Sequence, residues 1–192
     1  MPSIITPSII TPATPQPRIY DYELCEAYFY TDDGRPWRLD DMPFFATIYE
    51  DPAHHLVLKT SRQSTKTTFL RNKLVLRSIQ RPGNAALYVS PTQNQVHDFS
   101  KKKLYTVFAY NKGLKARYVP PSCDWNVGFK QLAVRDRLST ITLRSTGGYQ
   151  GAEGIRGGTY NDVFIDEYQS TTPRWLRRLC FEAVPLLLWR RG

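Results

Sequence analysis

Two short groups of polar residues carry the side chains that phosphate chemistry needs. Lys66 and Thr67 follow a polar loop, while Asp166 and Glu167 directly follow an apolar run at 163–165. A lysine can bind phosphate oxygens, and a threonine hydroxyl together with a carboxylate can hold Mg²⁺. A second carboxylate beside the first can polarise an attacking water. The pattern predicts a nucleoside triphosphate site in which Lys66 binds the phosphates. Thr67 and Asp166 would hold the metal, and Glu167 would act as general base.

The loop before Lys66 matches a phosphate-binding loop only in part. Such loops follow the pattern GxxxxGK[ST], and Thr60 and Thr65 stand at the two glycine positions here. Thr65 matters most for ATP affinity, because its branched side chain would lie close to the phosphates and the position can require a positive φ. The residues expected to contact the nucleotide are Ser61, Arg62, Gln63, Ser64, Thr65, Lys66, Thr67 and Thr68.

The order of predicted elements indicates an α/β fold with a mostly parallel sheet. Apolar patterning predicts strands at 56–58, 85–89, 139–143 and 162–165, and helices at 67–80 and 93–110. Strand, loop, helix, strand and helix in succession are typical of parallel architecture. Two carboxylates at the carboxyl end of a buried strand would lie at the crevice where open parallel sheets bind ligands. Capping of a surface turn is the alternative role for this pair.

Charge and composition favour a polyanionic partner. Residues 1–50 carry 3 basic and 8 acidic side chains, and residues 51–192 carry 23 basic and 9 acidic ones. This surplus suits nucleic acid or nucleotide phosphate, although a well-solvated basic surface has the same composition. Three widely spaced cysteines without a CxxC pattern argue against a zinc site or a disulfide framework. No apolar run reaches the roughly 18 residues of a membrane span and no export signal is evident, so we expect an intracellular protein.

Composition also divides the chain into three regions. Prolines recur through residues 1–17, where PSIITP is nearly repeated, and this predicts a disordered arm. Residues 18–50 are aromatic and acidic and are predicted to form a lid packed onto the core. Residues 51–192 would form the phosphate-binding core. Within the lid, core packing is the favoured role of Phe44 and Phe45, with stacking on a nucleobase as the alternative.

Four segments resemble the ATPase domain of the large terminase subunit, the motor that packages DNA into the capsids of tailed phages. They are SRQ at 61–63, LYVSPTQNQV at 87–96, the arginine-glycine step at 154–158, and DVFIDEYQ at 162–169. The segments occur in the order of that family between residues 40 and 175. The resemblance therefore covers most of the chain.

The resemblance implies a P-loop NTPase of the additional-strand, catalytic-glutamate (ASCE) type, a three-layer sandwich whose sheet is incomplete at the C-terminus. It implies ATP and Mg²⁺ as cofactors, and it gives Arg62 the role of neutralising charge that develops on the γ-phosphate. The implied partners are double-stranded DNA, the portal protein, the small terminase subunit and further copies of the chain in a ring, with no membrane. The implied location is the host cell cytoplasm.

The C-terminal end departs from the resemblance. Terminases continue into a coupling segment and a nuclease domain, whereas residues 175–188 are predicted to form one more helix and its exit, with no nuclease encoded. A chain truncated in this way is expected to hydrolyse ATP weakly or not at all in isolation. A helicase-like P-loop ATPase is one alternative, and a non-catalytic DNA-binding fragment is another. The latter would use a basic face made of Lys101, Lys102, Lys103, Lys112, Lys115 and Arg117.

Overall fold

The computed structural model describes residues 19–53, 55–60, 65–147, 155, 158–167, 170 and 186–191. Its helices are α1 (Asp21–Tyr28), α2 (Phe45–Tyr49), α3 (Lys66–Gln80), α4 (Gln93–Asp98), α5 (Tyr105–Tyr110) and α6 (Lys112–Tyr118), with a 3-10 turn at Leu39–Asp41 and a π-helical segment at Phe99–Leu104. Its strands are β1 (His55–Thr60), β2 (Ala85–Ser90), β3 (Phe129–Val134), β4 (Arg137–Ser145), β5 (Asp162–Ile165) and β6 (Leu186–Arg191). Within these residues, no helix is both long and apolar enough to cross a membrane. The predicted arm at residues 1–17 lies outside the described residues.

The six strands form one mostly parallel sheet in the order β1-β6-β5-β2-β4-β3. All neighbouring pairs are parallel except β3 with β4. The carboxyl ends of β1, β5 and β2 therefore lie at the same edge of the sheet. The predicted α/β class with a mostly parallel sheet is confirmed, and the strand and helix predictions between 56 and 165 coincide with β1, α3, β2, the α4–α5 stretch, β4 and β5.

The C-terminal strand corrects one prediction. Residues 186–188 were expected to belong to a helix and its exit, but they begin β6, which lies between β1 and β5 and is parallel to both. A short run of leucines has no periodicity that distinguishes a buried strand from a buried helix. Between two parallel strands, hydrogen bonding to both neighbours favours the strand. The rest of the predicted helix, up to residue 185, lies outside the described residues.

The sequence pattern did not predict the antiparallel edge strand β3. Its inward positions are Lys130, Leu132 and Val134, so a lysine interrupts the apolar alternation that predicts a strand. The strand turns directly into β4, with Val134 paired to Arg137. Arg135 in this hairpin turn has a φ of 55°, a left-handed conformation for which turns normally use glycine or asparagine.

Aromatic rings dock the residues before β1 onto α3. Phe45 stacks on Phe69 with ring centroids 5.0 Å apart, and Tyr49 meets the same ring edge-on at 4.7 Å. Phe45 and Tyr49 are both 1% exposed, whereas Phe44 is 46% exposed. Phe45 therefore belongs to the core rather than to a surface that a nucleobase could reach. Gly83 lies just after the end of α3 and has a φ of 78°, a conformation that glycine adopts without steric cost.

Lys130 is buried under the α4–α5 stretch without a carboxylate partner among the described residues. Its Nζ donates hydrogen bonds to Ser100 Oγ, at 2.8 Å, and to the Asn126 carbonyl oxygen. Burial lowers the pKa of Lys130 from its ordinary value near 10.5 to about 8. The folded protein therefore binds the Lys130 proton less tightly than the unfolded chain does, and stability should rise as the pH increases from about 8 to about 10.5.

Replacement of Lys130 by methionine tests this pH dependence. We expect the Lys130→Met variant to be more stable than the unmodified protein at pH 7, by at most about 3 kcal/mol, since the methionine side chain has no ammonium group to desolvate. The difference should shrink as the pH rises to about 10. Urea unfolding of both proteins at several pH values measures the difference in their free energies of unfolding. A difference that stays constant across that range would contradict the burial argument.

Candidate nucleotide-binding site

Helix α3 begins at the polar loop and presents its first turn toward the carboxyl edge of the sheet. Lys66 is 8% exposed, and its Nζ donates to the carbonyl oxygen of Thr60 at 3.3 Å, which ties the end of β1 to the start of α3. Thr67 and Thr68 follow in the same turn, where amide groups point out of the helix and favour an anion. Residues 61–64, which include the predicted contacts Ser61, Arg62, Gln63 and Ser64, lie outside the described residues.

Thr65, the residue at the second glycine position, has a left-handed backbone with a φ of 51° and a ψ of 26°. The sequence analysis indicated that this position can require a positive φ, and the structure has a positive φ there. A β-branched residue in this region carries strain of about 1–3 kcal/mol. The fold thus keeps the backbone geometry of a glycine while carrying a threonine.

A Thr65→Gly variant should relieve this strain. We expect the free energy of unfolding to rise by about 1 kcal/mol, because the relief exceeds the entropy cost of about 0.5–1 kcal/mol that glycine adds in the unfolded chain. Affinity for MgATP should also increase, since the branched side chain is removed from the first turn of α3. Arg135→Gly is the matched control, because Arg135 has nearly the same φ and lies in the hairpin turn. It should gain stability without a change in nucleotide affinity; an equal change in affinity would contradict the assignment.

The predicted metal ligands lie in contact with each other. Thr67 Oγ1 donates a hydrogen bond to Asp166 Oδ2 at 3.2 Å, although the two residues are 99 positions apart. Tyr88 of β2 donates to the same oxygen at 3.1 Å. Asp166 is 7% exposed and directly follows β5, with its amide bonded to the Val89 carbonyl oxygen at 2.9 Å. The sheet therefore holds one carboxylate against the hydroxyl at the start of α3.

Burial raises the pKa of Asp166, and the charge of Glu167 raises it further, while hydrogen bonds from Tyr88 and Thr67 lower it. A bound cation would favour the ionised carboxylate and offset the cost of its burial. Carboxylate and hydroxyl oxygens are ligands that suit Mg²⁺, which retains several waters and substrate oxygens in such sites. Among the described residues, no group of three or more histidine, cysteine, aspartate or glutamate side chains is placed to hold a metal ion by itself. The donor set fits a magnesium ion that shares its coordination with a phosphate.

Glu167, the predicted general base, lies beside Asp166 in a strained backbone conformation. Its φ is 49°, and its amide donates to Asp166 Oδ1 at 3.0 Å. Its carboxylate oxygen Oε2 accepts a hydrogen bond from Gln95 Nε2 at 3.2 Å. A non-glycine residue with positive φ at the end of a sheet strand is common at functional sites, where the fold holds it in place.

Gln95 is the site residue that the sequence prediction missed. Its Oε1 accepts hydrogen bonds from Ser90 Oγ at 3.1 Å and from the amide of Thr92 at 3.2 Å, while Thr92 Oγ1 caps the first turn of α4. These bonds form a capping box, and they leave Nε2 directed at Glu167. The TxxQ spacing from Thr92 to Gln95 signals the capping box, but no local pattern indicates a partner 72 positions away.

Loss of the Gln95 amide should affect catalysis more than binding. In a Gln95→Leu variant, Glu167 loses the donor that orients its carboxylate, and we expect the rate of ATP hydrolysis to fall about tenfold with little change in nucleotide affinity. Single-turnover hydrolysis and nucleotide titration separate the two quantities. Gln131→Leu, on the edge strand β3, is the matched control. Equal losses of affinity and rate would show that Gln95 is only structural.

A cavity of about 480 Å³ lies beside the first turn of α3. Its lining residues are Thr31, Asp32, Asp33, Arg35, Trp37, Arg38, Asp41, Met42, Thr65, Lys66, Thr67, Thr68 and Lys103. Asp32 is fixed between two cations, accepting from the fully buried Arg71 at 3.2 Å and from Lys103. The cavity therefore has one wall from α3 and a second wall from the residues before β1. Its volume suits a small organic ligand.

The structure thus brings Lys66, Thr67, Asp166 and Glu167 to one edge of the sheet. Strand β6 lies between β1, which leads to Lys66, and β5, which leads to Asp166. The fold is an α/β fold with a mostly parallel sheet, and the four predicted site residues lie together at its carboxyl edge.

Solved structures of phage large terminases share this fold, while no family model and no curated protein matches the chain. The large terminase ATPase domain of Thermus phage P74-26 matches with a TM-score of 0.65 and 15% identity, over 90% of this chain and 70% of that chain. The large terminase of bacteriophage HK97 matches with a TM-score of 0.66 and 15% identity, over 90% of this chain and 37% of that chain. The large terminase of a thermophilic bacteriophage matches with a TM-score of 0.54 and 13% identity, over 73% of this chain and 34% of that chain. The chain therefore has the fold of phage large terminase ATPase domains and spans about a third of the latter two terminase chains.

Proposed function

We propose that the chain is the ATPase motor domain of a viral terminase large subunit, which couples ATP hydrolysis to the movement of double-stranded DNA into a procapsid. The observation that carries the proposal is the hydrogen bond from Thr67 to Asp166, which joins the predicted phosphate loop to the predicted acidic strand at 3.2 Å. The fold shared with phage large terminases supports the same assignment. Residues 1–17 would be an arm, residues 18–50 a lid and residues 51–192 the ATPase core.

Each site residue has a proposed role. Lys66 and the first-turn amides of α3 bind the β and γ phosphates of ATP, together with Thr65 and Thr68. Thr67 and Asp166 hold Mg²⁺, which would neutralise phosphate charge. Glu167 accepts a proton from the attacking water, with Gln95 orienting its carboxylate. The contacts proposed for Ser61, Arg62, Gln63 and Ser64 rest on the resemblance, and Arg62 would stabilise the charge on the γ-phosphate.

The proposed partners follow from the same assignment. Double-stranded DNA would be the substrate that is moved, and the portal protein, the small terminase subunit and other copies of the chain in a ring would complete the motor. The host cell cytoplasm is the proposed location. The net charge of +9 suits a nucleic-acid partner.

Hydrogen exchange with and without MgATP tests the nucleotide site directly. We expect nucleotide to protect the amides around Lys66 and Thr67, and we expect the protection to require Mg²⁺. The branched side chain of Thr65, at a position where phosphate loops have glycine, favours the competing function, a non-catalytic DNA-binding fragment. DNA binding that is sensitive to salt, indifferent to ATP and accompanied by no protection near Lys66 would establish that alternative and overturn the ATPase proposal.

A further inference from the structure

A second cavity, of about 400 Å³, lies between the α4–α5 stretch and the loop before β3. Its lining residues, here called the Trp125 pocket, are Ser100, Lys101, Tyr105, Trp125, Asn126, Val127 and Lys130. None of them lines the cavity beside Lys66. The Trp125 pocket is therefore a separate place on the molecule, and the proposed ATPase chemistry does not use it.

The charges in the Trp125 pocket are all positive. Its lining has two lysines and no carboxylate. Lys130 is 2% exposed and has no ion pair with any described carboxylate, and its Nζ lies 5.1 Å from the centre of the Trp125 ring. A buried ammonium group without a counter-ion is costly to desolvate, and an anion in the adjacent cavity would reduce this cost. The pocket therefore favours an anionic ligand.

Two aromatic side chains give the same pocket flat surfaces. Trp125 is held in place by an edge-on contact with Phe108, with ring centroids 5.1 Å apart. Tyr105, which also lines the pocket, is 50% exposed. Indole and phenol faces bind planar rings by stacking, and nucleobases stack on them with little dependence on sequence. The ligand that satisfies both the lysines and the rings is a planar ring that carries an anionic group.

The π-helical segment shapes this wall of the pocket. Ser100 and Lys101 lie within the segment, and Tyr105 directly follows it. A π-helical segment changes the angular spacing of side chains and is frequent at functional sites. Ser100 Oγ accepts a hydrogen bond from Lys130 Nζ at 2.8 Å, so the segment also holds the buried ammonium group in place.

We propose that the Trp125 pocket binds a single nucleotide, with the base against Trp125 and the phosphate near Lys101 and Lys130. The nucleotide can come from two sources, a free 5′-mononucleotide or an unpaired nucleotide in a nucleic-acid strand. The volume of the cavity is sufficient for one nucleotide. This site is distinct from the ATP site proposed beside Lys66.

Titration with thymidine 5′-monophosphate, short oligothymidylate and duplex DNA tests the proposal. The variants are Lys101→Ala and Trp125→Leu, and Lys102→Ala is the matched control, since Lys102 is on the same helical segment and does not line the pocket. We expect Lys101→Ala and Trp125→Leu to weaken binding at least about tenfold, and Lys102→Ala to change it less than about twofold. Circular dichroism confirms that each variant is folded, and Lys101→Ala alters only an exposed side chain.

Each outcome has a definite meaning. Saturable binding of the mononucleotide, lost in Lys101→Ala, identifies a free nucleotide as the ligand, whereas binding of oligothymidylate alone identifies an unpaired strand. Binding that falls equally in Lys101→Ala and Lys102→Ala reflects the general basic charge and overturns the proposal, as does the absence of saturable binding. The titrations are repeated in a Lys66→Met background, where unchanged affinity separates this pocket from the proposed ATP site.

Discussion

Replacement of Glu167 by glutamine is expected to lower the rate of ATP hydrolysis by at least about 100-fold, which is the usual contribution of a general base. Glutamine has nearly the same shape and can still accept the hydrogen bond from Gln95, but it cannot take a proton from water. Nucleotide affinity should change less than about threefold. Single-turnover measurements with excess protein isolate the hydrolytic step and are the suitable assay.

The control for Glu167→Gln is Glu23→Gln. Glu23 is exposed on α1, where its carboxylate accepts a hydrogen bond from the Tyr20 amide, and glutamine preserves that bond. The control variant should hydrolyse ATP at the rate of the unmodified protein. If Glu167→Gln keeps more than about a tenth of that rate, Glu167 is not the general base and another group must accept the proton.

Replacement of Lys66 by methionine is expected to weaken MgATP binding at least about tenfold. Lys66 supplies the charge proposed to contact the β and γ phosphates, and hydrogen bonds to charged groups contribute about 1.5–3 kcal/mol each. Methionine keeps much of the length of the aliphatic chain, so packing at the start of α3 is retained. Isothermal titration with a slowly hydrolysed ATP analogue and Mg²⁺ measures the change.

Lys59→Met is the matched control for this variant. Lys59 is exposed on β1, one residue before Thr60, and its loss removes the same charge from the same region. Affinity in the control should fall less than about twofold. Comparable losses in Lys59→Met and Lys66→Met would mean that the general positive field, and not a phosphate contact, governs binding.

The sequence was sufficient to predict the parts of the fold that have a clear apolar period. Strands β2 and β5 are almost entirely buried and read as continuous apolar runs, as strands covered on both faces do. The meeting of Thr67 with Asp166 also followed from the sequence, because Asp166 was placed at the carboxyl end of one parallel strand and Thr67 just after the loop that follows another, and such strand ends share one edge. Strand β3 could not be predicted, since buried Lys130 occupies an inward position.

Other features could not be predicted from the sequence, mainly because they depend on contacts between residues that are distant along the chain. The role of Gln95 depends on Glu167, which is close only after the sheet has formed. The strand conformation of residues 186–188 depends on pairing with both β1 and β5. The π-helical segment falls inside a predicted helix, where the apolar period cannot distinguish one helical hydrogen-bond register from another.

The stretch from α4 through α5 has a mechanical consequence. Gln95 at its beginning holds Glu167, Phe99 stacks on Tyr88 at 3.7 Å, and Lys103 pairs with Asp32. A displacement of this stretch would therefore move both the side chain that donates to Glu167 and the lysine that pairs with Asp32, which lines the cavity beside α3.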